Sequence, residues 1–237
     1  MPAVTICLPT FNERENIERM LEALEPLDAR VLVIDDNSPD GTGEIADRVA
    51  ATLGDVSVLH RPRKEGLGPA YIEGFRVALA DGADYVLTMD CDFSHDPADV
   101  PRLVVAAENG ADVVIGSRYV PGGGTRNWGI GRRIVSAGGS FYARTLLGLR
   151  IRDMTGGFRC FRRAVLETVD LDAIETKGYA FQIELTYRAL RQGFTVAEVP
   201  IVFTDRTLGR SKMSRAIFLE AVARVPRLRL DALTGKL

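Results

Sequence analysis

Five short apolar runs, Val4–Leu8, Val31–Ile34, Val56–Leu59, Tyr85–Met89 and Val113–Ile115, alternate with four stretches of helical periodicity, Glu13–Leu24, Gly43–Leu53, Leu67–Ala80 and Ala98–Glu108. Runs of that length and apolarity fit buried strands, and the spacing between them fits amphipathic helices. Such alternation predicts an α/β fold with a mainly parallel central sheet and helices on both faces. An open sheet of that kind binds ligands beyond the carboxyl ends of its strands.

Three polar clusters fall at those ends: Pro9-Thr10-Phe11-Asn12-Glu13, Asp35-Asp36-Asn37-Ser38-Pro39-Asp40-Gly41-Thr42 and Asp90-Cys91-Asp92. In extended backbone, side chains at i and i+2 point the same way, so Asp90 and Asp92 can present two carboxylates to one hard divalent cation. Taken alone, each cluster also has a local explanation. Asp favours strand ends and turns, Asn12 can cap the first helix, and Asn-Ser-Pro-Asp-Gly is turn chemistry. The first strand-helix turn lacks a G-x-G-x-x-G fingerprint, and no G-x-x-x-x-G-K-[ST] loop occurs. Both a Rossmann dehydrogenase and a P-loop nucleoside triphosphatase lose ground.

With 237 residues, 46% hydrophobic and 26% charged, the chain has the makings of a sizeable core and not of a disordered segment. No linker divides it, so a single domain over 1–237 is expected. Cys7, Cys91 and Cys160 lie far apart, which argues against disulfides and zinc and favours a reducing, cytosolic setting. The N-terminus shows no leader, and no run reaches the roughly 18 apolar residues that span a bilayer. The net charge of −2 conceals an asymmetry: nine arginines between Arg126 and Arg163 meet one acid, Asp153. A second basic stretch runs from Arg206 to Arg229, so the later half is expected to handle something anionic.

After Gly116-Ser117-Arg118 the alternation ends in Pro121-Gly122-Gly123-Gly124. Asn127–Leu147 reads as a helix in which Ile130, Ile134, Val135, Phe141, Tyr142, Leu146 and Leu147 mix with arginines. Its apolar face suits the core, the favoured reading, or a lipid surface. A helix over Ala180–Gln192, a strand over Val196–Val199, a basic loop Arg206–Lys212 and an amphipathic helix over Ser214–Val225 complete the chain. His60 at a strand end and His95 beside the aspartates read as surface or supporting residues.

Pro9-Thr-Phe-Asn-Glu13, Asp35-Asp-Asn-Ser-Pro-Asp-Gly-Thr42, Asp90-x-Asp92, Gly116-Ser-Arg118, Thr155-Gly-Gly-Phe-Arg159, Phe181-Gln-Ile-Glu184 and Arg206-x-x-Gly-x-Ser-Lys212 occur in one order. That ordered set resembles the inverting GT-A glycosyltransferases of family 2, most closely the dolichol-phosphate and polyprenol-phosphate mannose synthases. The resemblance spans about Val4 to Lys212. It implies transfer of mannose from GDP-mannose to a polyprenyl monophosphate, assisted by Mg²⁺ or Mn²⁺. Asp92 is the leading metal ligand, with Asp90 serving the metal or the donor ribose. Where the family often has Gln as a third ligand, this chain has Ser94, a shorter one.

By the same resemblance Pro9, Phe11, Glu13 and Asp36 line the nucleotide pocket, while Asp35 holds its own loop. Arg118, Arg132 and Ser136 match the lipid-phosphate contacts, and Arg133 is a solvated neighbour. Arg206 and Lys212 match a mobile loop over the donor diphosphate, and Gly209 gives it freedom. Gln182 and Glu184 are placed near the crevice without a fixed role. Residues 1–118 would then be the nucleotide-sugar half and 119–237 the acceptor half, with interfacial helices.

Expected partners are GDP-mannose, a polyprenyl monophosphate, a membrane surface on its cytosolic face, and a separate membrane-anchoring protein where one exists; nucleic acid is not among them. A polyprenyl-phosphate glucosyltransferase using UDP-glucose shares the diphosphate and metal motifs. A non-catalytic sugar-nucleotide-binding module would keep the crevice but has no need of the acceptor arginines. A membrane scaffold explains the basic helices but not the convergent carboxylates.

Overall fold

The computed structural model describes residues 2–176, 178, 180–206, 215–235 and 237. The first five strands and four helices follow the expected alternation: β1 (Val4–Thr10), α1 (Ile17–Leu24), β2 (Arg30–Asp35), α2 (Thr42–Ala50), β3 (Val56–His60), α3 (Leu67–Ala80), β4 (Tyr85–Thr88), α4 (Val100–Glu108) and β5 (Val113–Ser117). Then come β6 (Gly124–Arg126), α5 (Ile130–Leu147), β7 (Arg159–Arg162), α6 (Arg163–Thr168), α7 (Ala180–Arg191), β8 (Val196–Pro200), β9 (Val202–Thr204) and α8 (Arg215–Leu233). Seven strands form one sheet in the order β3-β2-β1-β4-β7-β5-β8, and β6 pairs with β9 in a separate ribbon.

Every neighbouring pair in the large sheet is parallel except those of β7, which runs antiparallel to β4 and β5. Strand period decides the layers. Cys7, Leu32 and Ile34 turn to one face, under α3 and α7, where Tyr71, Phe75, Phe161 and Phe181 pack ring against ring. Ile6, Leu8, Val31 and Val33 turn to the other, against Ile17, Met20, Leu21 and Leu103 of α1 and α4.

Several boundaries depart from the sequence pattern. Helix α1 starts at Ile17, with Asn16 at its N-cap and Glu13 outside it. Asn12 does not cap it; it adopts a left-handed backbone with φ of 56° and donates its N–H to Ser38 Oγ. Helix α5 starts at Ile130, after Asn127 with a left-handed φ of 60° and an extended Gly129 at its N-cap, and it is capped by Gly148, whose φ of 71° suits a glycine. Helix α8 continues past Val225 to Leu233, through Pro226.

The apolar residues of α5 divide. Ala143 and Leu147 are buried, whereas Ile134 and Val135 are exposed, as are Ile130 at 76% and Phe141 at 59%. The core reading therefore fails for half of that face. Among the described residues no helix is long and apolar enough to cross a membrane. Cys7, Cys91 and Cys160 are all free and buried.

Candidate active site

The ends of β1, β2, β4 and β5 carry the polar clusters to one edge, as parallel register requires: Thr10 lies beside Asp35, and Cys7 beside Thr88. The start of β7 reaches the same edge from the opposite direction. Thr88 Oγ1 donates to Gly157 O at 2.6 Å, and Gly116 N–H donates to Phe158 O at 2.9 Å. A late segment, Gly156–Arg159, thereby becomes the floor between the two expected half-sites.

One cavity is lined by Pro9, Phe11, Glu13, Asp36, Asp90, Asp92 and Arg206, with Lys64, Leu67 and Ala70 on its far wall. The structure thus brings together the residues expected around a nucleotide, apart from Lys212, which lies outside the described residues with Gly209 and Ser214. Lys64 Nζ stands 4.0 Å from the centre of the Phe11 ring. Asp36 is fixed from behind by the buried Arg61, which also meets Glu65 and Glu73. Burial pushes the Asp36 carboxyl up from its ordinary value, against the pull of Arg61 and Lys64. Asp35 turns away to its own loop, accepting from Thr10 Oγ1 and Ser38 N–H at 3.0 Å each.

A second cavity, of about 620 Å³, shares Asp90 with the first and opens between α5, α7 and α8. Arg118, Arg132 and Ser136 lie at its polar end, and Val135, Tyr142, Ala143, Ile183, Val222 and Val225 give it apolar walls. Gly138 and Gly139 also line it, and a Cβ at Gly138 would meet nothing within 4 Å, so the helix surface recedes there. Tyr119 donates to Ser136 Oγ at 2.7 Å, and Tyr142 ties the two helices by donating to Val222 O at 2.9 Å.

The arginines are held from behind. Arg118 gives Nε and Nη2 to Asp153 at 2.7 Å each and Nη2 to Thr155 at 2.9 Å. Burial alone would raise the Asp153 carboxyl, but the hydrogen bonds and charge of Arg118, with Arg159 nearby, hold it below its ordinary value. Arg132 lies over the Trp128 ring at 4.3 Å and pairs with Asp205 at 2.6 Å. Arg133 is exposed. Arg159 is fully buried and donates to Gly156 O, Met154 O and Gln182 O, which makes it a brace of the floor. Burial lowers its guanidinium to about 10, against the Asp153 charge.

His95 is buried, not a surface residue; its Nδ1 accepts the Asp90 N–H at 3.2 Å, and its ring stacks on Phe158. Burial, opposed by Asp92, pushes it down to about 4, so it stands neutral at pH 7. His60 sits at the end of β3 and meets Asp47 at 3.0 Å. Glu184 does not face the crevice; it is buried against Arg188 and Arg224, and the Gln182 amide finds no hydrogen-bond partner among the described residues.

For a metal, Asp92 offers a buried carboxylate whose Oδ1 accepts the Ser94 N–H at 3.0 Å and whose Oδ2 meets Arg206 Nη2 at 2.9 Å. The Ser94 hydroxyl is buried without a hydrogen-bond partner among the described residues. Among the described residues no three His, Cys, Asp or Glu side chains converge as a ready-made cage. Hard oxygen donors in an incomplete shell fit Mg²⁺ or Mn²⁺, which commonly take the rest from substrate phosphates and water.

Sequence reasoning passed over Trp128, Tyr119, Lys64 and Asp205 as site residues. Asp153 had a signal, being the one acid among nine arginines. Trp128 had a weaker one, as the chain's single tryptophan beside that basic helix.

The model of a protein family described as glycosyl transferase family 2 matches residues 5–170. A polyprenol monophosphomannose synthase of Mycolicibacterium smegmatis is 48% identical over 97% of this chain and 89% of its own. An undecaprenyl-phosphate mannosyltransferase of Micrococcus luteus is 50% identical over 98% of this chain and 96% of its own. Among solved structures, a mannosyltransferase of Pyrobaculum calidifontis in complex with GDP-Man and Mn²⁺ superposes with a TM-score of 0.62 at 17% identity, over 99% of this chain and 74% of that one. Glucosyl-3-phosphoglycerate synthase of Mycobacterium tuberculosis, in complex with Mn²⁺, UDP-Glc and phosphoglyceric acid, gives 0.64 at 22% identity, over 94% of this chain and 80% of that one. These two share the GT-A fold with this chain.

Proposed function

The chain belongs to glycosyltransferase family 2, and on that premise we propose that it transfers mannose from GDP-mannose to the phosphate of a polyprenyl monophosphate, with inversion, at a membrane surface. One observation carries the reading: Asp90 is common to a cavity that sets Glu13, Asp36, Asp92, Lys64 and Arg206 around the Phe11 ring, as a sugar nucleotide needs, and to an apolar cavity with arginines at its polar end. An amphiphile with an anionic head fits the second, since guanidinium forks match phosphate oxygens and the walls match hydrocarbon.

In this mechanism the nucleotide base packs by Phe11, with Asp36 accepting its N–H groups. Arg118 and Arg132 place an acceptor phosphate oxygen opposite the diphosphate at the anomeric carbon. The new C–O bond forms as the bond to the diphosphate breaks, and the electron pair leaves with GDP. A phosphate monoester is largely ionised at pH 7, so no general base is required; orientation and charge balance are. Asp92, with Asp90 and Ser94, would hold Mg²⁺ or Mn²⁺, which when bound offsets charge developing on the diphosphate.

The exposed apolar residues of α5, set among Arg133 and Arg144, support peripheral attachment, because a basic amphipathic helix suits an anionic lipid surface. The three free cysteines support the cytosolic face. The whole chain is read as one domain, with 1–118 serving mainly the donor and 119–237 mainly the acceptor.

The test compares GDP-mannose with UDP-glucose, each with polyprenyl phosphate and with or without Mg²⁺ or Mn²⁺. Lipid-linked mannose formed only with metal is the expected result. Glucose transfer alone would replace the reading with a UDP-glucose-dependent one.

A further inference from the structure

His95 closes the aspartate loop and stands between two cavities. It lines the acceptor cavity described above and another of about 530 Å³, which Asp92 and Asp205 also line. The residue is 1% exposed, and most of its ring is accounted for. It stacks on Phe158 with ring centres 5.0 Å apart, and Phe203 meets it edge to face at 5.2 Å. Nδ1 accepts the Asp90 N–H at 3.2 Å. Nε2 has no hydrogen-bond partner among the described residues, and its edge of the ring is the part left to line the cavities.

The bond to Asp90 decides the tautomer. A ring nitrogen that accepts an N–H carries no proton of its own, so the imidazole proton sits on Nε2. His95 is therefore a fixed N–H donor. It cannot take a proton at Nδ1 without losing the Asp90 contact, nor at Nε2, which already holds one. A histidine beside a transfer site invites assignment as a general base, whereas this one has the geometry of a donor to an oxyanion.

Its neighbours decide what it donates to. His95 is absent from the lining of the nucleotide cavity and shares the acceptor cavity with Arg118 and Arg132. The Phe203 ring that meets His95 also has the Arg118 guanidinium 5.6 Å from its centre. The same ring meets Trp128 at 5.2 Å, and Trp128 carries Arg132. One aromatic cluster thus sets an imidazole and two guanidinium groups around a single polar end. A phosphate monoester has three terminal oxygens, and one of them must stay available to attack.

Resting on the reading of the site given above, we propose that His95 Nε2–H is a further acceptor-binding group, donating to a non-attacking oxygen of the polyprenyl phosphate. One ring then serves both substrates: Nδ1 fixes the backbone of Asp90, and Nε2 fixes the nucleophile. Being neutral, it orients the phosphate while offsetting less of its charge than a third cation would, which suits an anionic nucleophile.

The experiment is calorimetric titration of farnesyl phosphate, a short polyprenyl monophosphate, into the full chain and into His95→Asn, each saturated with GDP and Mn²⁺. Asn keeps an acceptor oxygen at the δ position for the Asp90 N–H and has nothing at the ε position. His95→Asn is expected to bind farnesyl phosphate more weakly by about tenfold or more, with its affinity for GDP and Mn²⁺ within about twofold of wild type. Undiminished binding of farnesyl phosphate, or an equal loss of both ligands, overturns the His95 assignment alone. Failure of farnesyl phosphate to bind wild type brings down the acceptor reading and the His95 assignment with it. A second arm uses wild type with isotope-labelled histidine, GDP and Mg²⁺, the His95 signal being the one lost in His95→Asn. Long-range proton–nitrogen correlation is expected to place the His95 proton on Nε2, and its resonance is expected to move downfield when farnesyl phosphate is added. A proton on Nδ1, or an Nε2–H resonance indifferent to farnesyl phosphate, overturns the assignment.

Discussion

Arg118 and Asp153 form a two-point pair at 2.7 Å, with the side chains 6% and 0% exposed. Removing one member of a buried pair strands the other, at about 3–5 kcal/mol. Asp153→Asn is therefore expected to lower unfolding stability by about that amount at pH 7, in urea denaturation. Because the native carboxyl is held below its ordinary value, its contribution is present above the unfolded pKa of about 4 and fades as pH falls through that value toward the native one. The difference between variant and wild type should shrink below about pH 4; a constant difference across pH would show that its origin is not the carboxylate charge.

Asp92 carries the cation assignment. Asp92→Ala is expected to reduce mannosyl transfer by about three orders of magnitude or more, and chelation of wild type by EDTA to do likewise, reversibly on adding Mn²⁺. Normal turnover in either case would sink the assignment.

Arg132 is expected to act on the acceptor alone. Arg132→Ala should raise the KM for polyprenyl phosphate roughly 10–100-fold, the worth of a charge-assisted hydrogen bond, with the KM for GDP-mannose within about twofold. Arg132→Lys should recover little, since an ammonium neither forks nor stacks on Trp128 as a guanidinium does. An equal rise in both KM values would point to general disruption.

Ile134 and Phe141 are expected to contribute to membrane attachment. Joint replacement by Asp should cut co-sedimentation with anionic liposomes by about tenfold or more, since each apolar side chain leaving water is worth about 1.5–3 kcal/mol. Unchanged sedimentation would assign that face another use.

The donor half was legible because its signals are local. An apolar strand ending in Asp-x-Asp, or a β-α turn such as Asp35–Thr42, reads the same whatever surrounds it. Strand β7 was not legible: Arg159-Cys160-Phe161-Arg162 resembles a basic surface stretch, and only tertiary contacts reveal that Arg159 is fully buried. The apolar side of α5 was ambiguous for a related reason, since periodicity gives the face but not its neighbour. Asp205 and Asp153 were visible only as rare acids among bases. Their pairing with Arg132 and Arg118 joins residues 73 and 35 positions apart, beyond the reach of spacing rules.

The sheet leaves β5 at Ser117 and resumes in β7 at Arg159, and Arg159 pairs directly with Ile115. The intervening chain holds Trp128, Arg132, Ser136 and the half-exposed helix α5, yet its two ends are next-door neighbours bonded into the same framework. Such a segment is a cassette. Its length and lining can diverge without disturbing the strands that carry Asp36, Asp90 and Asp92, because insertions are best tolerated where their ends lie close together. A lineage of these enzymes can therefore change the lipid that carries its acceptor phosphate while inheriting its sugar nucleotide unaltered.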